Sequence, residues 1–237
     1  MRWPFTTYAT GTLLASCLPC VALSWWLGRF GGLWWVAPLP FLAFFLNFFR
    51  DPERSAAGGE DELVSPADGL VADIVEVDDP DVGPGCTRIG VFLNVFDVHV
   101  NRVPCSGEVV RTSRRDGGFL DARDPRCIEE NRAATLVLRR PNGRELGVRQ
   151  ITGLIARRII FPLTGGERFA RGERYGMIRF GSRTELVVPT DQLGELLVQV
   201  GDRVKGGETL LARLKPAAAG QGAAGARADA PAEVAAG

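Results

Sequence analysis

The sequence predicts a mainly β domain carried behind an N-terminal apolar helical hairpin, and three observations predict it. The N-terminal part holds two long runs almost without charge. Beyond them, apolar residues come in short β-branched clusters bounded by Gly, Pro, Asn or Asp, the pattern of strands and turns. No sustained helical period follows in the polar part, which argues against a helical core there.

Thr6 to Leu27 and Gly31 to Phe49 form the two apolar runs, separated by Gly28, Arg29 and Phe30. Each roughly matches the ~20 residues that cross a bilayer core. A secretory signal would have one shorter apolar region and a small-residue cleavage site, so the pair reads as a membrane hairpin over residues 1–54. Pro38 and Pro40 weaken the second run as a straight helix and leave a re-entrant or interfacial segment open. Arg2 before the pair and Arg50 and Arg54 after it place both ends in the cytoplasm by the positive-inside tendency, blunted by Arg29 at the turn. A cell-membrane protein with its polar domain on the cytoplasmic side is the expectation.

Ser55 to Asp61 is a short polar linker. Strands are expected over Leu70–Val77, Ile89–Leu93 and Thr135–Leu138, and Asn142-Gly143 marks a hairpin turn, because Asn-Gly readily takes positive φ. Residues 55–215 should form a domain of their own, with apolar clusters enough for a core. The hairpin is therefore expected to serve substrate access more than folding. From residue 216 to Gly237 the chain is Ala- and Gly-rich without a large apolar side chain; it cannot offset its ordering entropy and is expected to be a disordered tail.

Lys and Arg number 28, as do Asp and Glu, so the net charge of zero gives no electrostatic reason to expect nucleic acid as a partner. Lys205 and Lys215 are the only lysines, which limits lysine Schiff-base chemistry to two positions near the C-terminus. The odd count of five cysteines argues for free thiols in a reducing compartment. Cys17 and Cys20 have metal-pair spacing but sit among Leu, Ala, Val and Trp, where small apolar residues of a membrane segment are the simpler reading. No metal is expected.

Within Tyr175 to Pro189 the pair Gly181-Ser182 interrupts what otherwise reads as two strands. Alone it would be a β-bulge or tight turn. It does not stand alone. Ser65-Pro-Ala-Asp-Gly69, Phe92 to Pro104 around His99, Gln150 to Ile159, Gly172 to Ser182 and Phe48-Phe-Arg-Asp-Pro-Glu-Arg54 resemble, in order and spacing, the short bacterial and archaeal branch of the phosphatidylserine decarboxylases, over roughly residues 45–215. Ser65–Ala72 and Val200–Leu210 also resemble the two halves of a lipoyl-type β-sandwich. The resemblance implies a phosphatidylserine-decarboxylase-like β-sandwich or barrel with lipoyl-like half-motifs. It implies a membrane-bound enzyme that converts phosphatidylserine to phosphatidylethanolamine.

It further implies self-cleavage between Gly181 and Ser182 and a pyruvoyl cofactor made from Ser182, with neither metal nor pyridoxal phosphate. The partners would be a phospholipid, the membrane, and the two cleavage fragments as a heterodimer or a higher oligomer of that pair. His99 is the only histidine and so the only side chain that ordinarily titrates near neutrality. In longer family members a second histidine stands three places on; here that place is Arg102, which cannot act as a base. His99 either takes the Ser182 proton or acts later on substrate, unless it is a structural residue of a strand-loop junction. Asp68 is the candidate to orient or charge-balance the base, and reads equally as an Asp before Gly in a turn. Asn101, Arg102, Arg157 and Arg158 are candidates for the lipid phosphodiester or carboxylate, or a solvated charged face. The rival is a membrane-tethered adaptor or carrier. No lysine sits between the half-motifs, where a carrier would present one, and no coiled-coil heptads mark an adaptor.

Overall fold

A computed structural model describes residues 4–155, 157–179 and 181–216; Arg2 and all of the Ala/Gly-rich tail except Pro216 lie outside them. A 3-10 turn over Thr7–Ala9, capped by the Thr6 hydroxyl accepting from the Tyr8 amide, leads into α1 (Thr10–Gly28). Gly31 and Gly32, at φ 75° and 70°, reverse the chain in a conformation that only glycine adopts readily. A second 3-10 turn (Trp34–Val36) precedes α2 (Leu39–Phe48), which starts directly after Pro38 and carries Pro40 in its first turn. Thr7–Gly28 is long and apolar enough to cross a membrane. At ~1.5 Å per residue, α2 reaches only about 15 Å, half a bilayer core. The prolines thus shorten the second run, as their missing amide donors require. Both ends of the pair lie side by side: the Thr6 amide donates to Phe49 O at 2.9 Å and the Asp51 amide to Pro4 O at 2.8 Å.

The polar part is β-structured. In chain order its strands are β1 (Glu62–Val64), β2 (Gly69–Asp79), β3 (Gly83–Leu93), β4 (Val100–Arg102), β5 (Gly107–Arg115), β6 (Ala133–Arg139) and β7 (Glu145–Ile151). Then follow β8 (Ile159–Ile160), β9 (Arg168–Phe169), β10 (Arg174–Ile178), β11 (Ser182–Pro189), β12 (Leu193–Leu196), β13 (Arg203–Val204) and β14 (Leu210–Leu214). One eight-stranded sheet runs β13-β2-β3-β11-β7-β6-β5-β9, and two three-stranded sheets run β4-β10-β8 and β1-β14-β12. A single turn of helix, α3 (Cys127–Glu130), is the only α-helix described in this part.

The expected strands fall within β2, β3 and β6, and Gly143 turns the β6–β7 hairpin at φ 81°. The lipoyl-like half-motifs meet: β13 pairs with the start of β2, the Ser65 amide donates to Thr209 O at 2.8 Å, and the Gly207 amide to Ser65 O at 2.7 Å. Leu63, Val71, Ile89, Val91, Leu136, Val148, Leu186, Val188 and Leu211 bury completely or nearly so in one core between the sheets, each such side chain contributing about 1.5–3 kcal/mol relative to exposure. A second cluster joins Ala9, Leu13, Phe48 and Phe49 of the apolar pair to Met177 of β10. The last turn of α2 is therefore packed into the β domain.

Candidate active site

β10 ends at Ile178 in one three-stranded sheet and β11 begins at Ser182 in the eight-stranded sheet. Gly181-Ser182 is where the chain changes sheets. Gly181 sits at φ 74°, in the left-handed region. A side chain there would meet only Val95 Cγ1 at 3.8 Å and Leu93 O at 3.9 Å, so backbone conformation rather than crowding calls for glycine. Space is short on the other side: a β-carbon on Gly153 would lie 2.5 Å from Gly181 O. Gly153, just after the end of β7, lets the chain approach the Gly181 carbonyl. Ser182 is fully buried in register with Leu93 of β3, and among the described residues its Oγ has no hydrogen-bond partner. A buried hydroxyl left unbonded costs about 1–3 kcal/mol, and such exceptions call for an explanation.

His99 enters from the residue before β4, which pairs with β10. Its Nδ1 lies 2.9 Å from Asp97 O; a carbonyl only accepts, so Nδ1 carries the proton and Nε2 presents a lone pair. Nε2 accepts from the Gly181 amide at 3.1 Å. The ring is fully buried, with its centroid 4.3 Å from that of Phe48. Burial pushes its pKa down to about 4, opposed by the Asp97 carbonyl, assisted by Arg50 and opposed again by Asp68. The only histidine is thus a neutral base at the amide that precedes the Gly181–Ser182 bond.

Asp68 is elsewhere engaged: Arg54 bonds both its oxygens, through Nη1 to Oδ1 and through Nη2 to Oδ2 at 2.9 Å, and the Gly206 amide donates at 2.8 Å. Its influence on His99 is through its field alone. Asn101 is buried and bridges β4 to β11 by donating to Thr184 Oγ1 at 3.0 Å, while accepting from Gln150 Nε2 at 2.6 Å. Arg102 is buried as well, donating to Gly172 O, Pro52 O and Asp51, and burial followed by Arg174 pushes its pKa down to about 10. It clasps the segment leaving α2. Arg157 and Arg158 are exposed, with Arg157 5.6 Å over the Phe119 ring. Arg158 lines a cavity of about 360 Å³ with Arg114, Arg115 and Arg132.

The cavity that reaches Gly181 is another, about 300 Å³, lined by Gly181, Val95, Leu154, Ile155 and Arg123 among others. Arg123, absent from the sequence reading, is the arginine at this opening and pairs with Asp121 at 2.6 Å. A larger cavity of about 700 Å³ lies by Arg140 and Arg171 and touches none of these groups. Among the described residues no cluster of three His, Cys, Asp or Glu side chains is placed to hold a metal.

The family model for phosphatidylserine decarboxylase matches residues 41–212. The chain belongs to the phosphatidylserine decarboxylase family. It is 42% identical over 215 residues to the phosphatidylserine decarboxylase proenzyme of Rhodopirellula baltica, covering 89% of this chain and 88% of that one. The proenzyme of Geobacter sulfurreducens is 44% identical over 186 residues, 75% of this chain and 84% of its own. That of Symbiobacterium thermophilum is 42% identical over 214 residues, 90% and 93%. Membership makes the chain an enzyme and sets aside the adaptor and carrier readings. The family match begins inside α2, so this decarboxylase-family chain has Phe48 and Arg54 within the matched part and α1 outside it.

Proposed function

We propose that the chain decarboxylates phosphatidylserine to phosphatidylethanolamine, as a proenzyme that cuts its own Gly181–Ser182 bond and converts Ser182 to a pyruvoyl group. The observation that carries this is the fully buried Ser182 Oγ without a hydrogen-bond partner, next to a positive-φ glycine whose amide is held by the one histidine. Ser182 Oγ attacks the Gly181 carbonyl carbon; its proton passes to a base, the C–N bond breaks, and the Ser182 nitrogen leaves as an amine while an ester forms. His99 Nε2, neutral and next to the reacting peptide, is the base assigned to receive and return that proton. Loss of the Ser182 Cα proton and of the Gly181 carboxylate from the ester leaves dehydroalanine, which takes up water and releases ammonia.

The resulting carbonyl group supplies an electron sink for loss of carbon dioxide, as pyridoxal phosphate does in other enzymes. The residues present fit it, since Gly181, the neighbour of Ser182, lines a cavity large enough for a headgroup. Gly153 leaves room at the Gly181 carbonyl, and Val95, Leu154 and Ile155 give the cavity apolar walls. Asp68 acts at a distance by charge, and Asn101 fixes β4 against β11. Arg157 and Arg158 bind headgroup phosphate at the surface, and Arg102 anchors the segment that leaves α2. The apolar pair holds the β domain at the cell membrane, on its cytoplasmic side, and residues 1–181 and 182–237 stay together as the working enzyme. Purified chain reconstituted with carboxyl-labelled phosphatidylserine should release labelled carbon dioxide and lose this activity to a carbonyl-trapping reagent. Activity insensitive to carbonyl trapping would exclude the pyruvoyl group.

A further inference from the structure

At Phe48 the apolar hairpin reaches the histidine that holds the Gly181 amide. Phe48, the last residue of α2, is fully buried with its ring tilted 38° to that of His99. Two hydrogen bonds, at Nδ1 and at Nε2, hold the imidazole by its nitrogens. Phe48 packs on the ring from the side, its centroid 4.3 Å away, and so closes the space into which the side chain would shift. Phe48 is itself held, because the segment after it is strapped across the β domain. Asp51 takes Arg102 at 3.2 Å and Arg174 at 2.7 Å, and Arg54 grips Asp68. These ion pairs are nearly all buried, so releasing the strap would leave uncompensated charge in the interior.

We propose that Phe48 is a positioning residue for self-cleavage: the last turn of α2 fixes the His99 ring where its Nε2 meets the Gly181 amide, so cutting requires the Phe48 ring to stay packed on the imidazole. This rests on the self-cleavage reading above. The groups of charge that face His99 are Arg50 from the strap, Asp68 from the turn before β2, and the Asp97 carbonyl from its own loop. Phe48 covers the His99 ring, and its removal would admit solvent to it.

The test uses the full chain made fresh in detergent, with appearance of the 182–237 fragment followed from pH 5 to 8. Phe48→Leu should slow cutting about 10²-fold, the scale of a misplaced catalytic group, with a new decline setting in toward pH 6.5. Phe48→Tyr, which keeps the aromatic face, should restore the parent rate to within several-fold. Leu13→Ala, which loosens the same apolar cluster from α1, should leave it unchanged. His99 gives the only histidine ring signal in a magnetic-resonance titration, here in an uncut Ser182→Ala parent. The ring should stay neutral down to about pH 5 and titrate nearer 6.5 once Phe48→Leu is added. A Phe48→Leu chain that cuts and titrates like its parent would overturn the proposal, and so would a Leu13→Ala chain slowed as much as Phe48→Leu. If the unaltered chain stays whole, the reading of Ser182 fails too, a result told apart by that control.

Discussion

Ser182 and Glu185 share strand β11, both wholly buried, and their surroundings treat them in opposite ways. The Glu185 carboxylate meets Arg183 at 2.8 Å, Arg149 at 3.3 Å and Arg88 at 3.4 Å. Those arginines pass the charge on, Arg149 to Asp79 at 2.7 Å and Arg183 to Asp73 at 2.6 Å. Every charge in this ladder has a partner, as buried charges must if the sheet is to tolerate them. The Ser182 hydroxyl has none, and the nearby histidine is held neutral. The charges that hold the sheet are paired, whereas the Ser182 hydroxyl, like a few other buried polar atoms such as Tyr175 Oη, is left without a hydrogen bond.

Ser182→Ala breaks the comparison at its reactive end. It should abolish cutting and activity outright, leaving one full-length mass, yet leave stability unchanged or slightly raised, because a buried unbonded hydroxyl is removed. Ser182→Cys should still cut slowly, since a nucleophile survives. His99→Ala comes next: uncut chain should accumulate, with the cutting rate down by ~10² to 10⁴-fold, the usual loss for a general base. Normal cutting with normal turnover would return His99 to a packing role.

Glu185→Ala probes the satisfied end. The buried guanidinium groups of Arg149 and Arg183 and the partly buried one of Arg88 lose their shared carboxylate, and denaturant unfolding in the Ser182→Ala background should show a loss of about 3–5 kcal/mol. A neutral result would mean that the ladder contributes nothing to the fold.

The pH dependence sharpens the contrast. His99 has a native pKa of about 4, against 6.5 ordinarily. Between those values the unfolded chain binds a proton that the folded chain refuses, so stability falls as pH drops from about 6.5 toward 4. Above 6.5 this contribution is constant. Comparing urea midpoints of Ser182→Ala with and without His99→Gln at pH 7 and pH 4.5 isolates it, and the double variant should lose less on acidification. The smallest effect is expected at Asp68→Asn, where the bonds to Arg54 and Gly206 weaken but survive in part; cutting should slow only mildly.

Much of the fold was legible in the sequence because it is local. The β-branched clusters became β2, β3 and β6, Asn142-Gly143 became the β6–β7 turn, and Gly181-Ser182 marked a strand interruption that proves to be a change of sheet. What escaped was contact between distant segments. Nothing near Arg102 announces that its donors are taken by Asp51, fifty-one residues away, by Pro52 O and by Gly172 O, so beside His99 it reads as a ligand for substrate. Gly153 lay in a quoted motif, but its reason, the Gly181 carbonyl, is visible only in three dimensions. The apolar runs were read from composition, which shows where long apolar segments lie. It does not show that Phe48 would pack on His99 or that Arg54 would bind Asp68, and a chain begun near Asp61 would lose both.

The most direct test of self-cleavage at Ser182 is the intact mass of freshly purified protein, followed over time. The full-length mass should give way to residues 1–181 with an ordinary carboxyl end, and to residues 182–237 lighter than a serine-started peptide by one ammonia. A single unchanging full-length mass in an active preparation, or a small fragment that begins with intact serine, would contradict it.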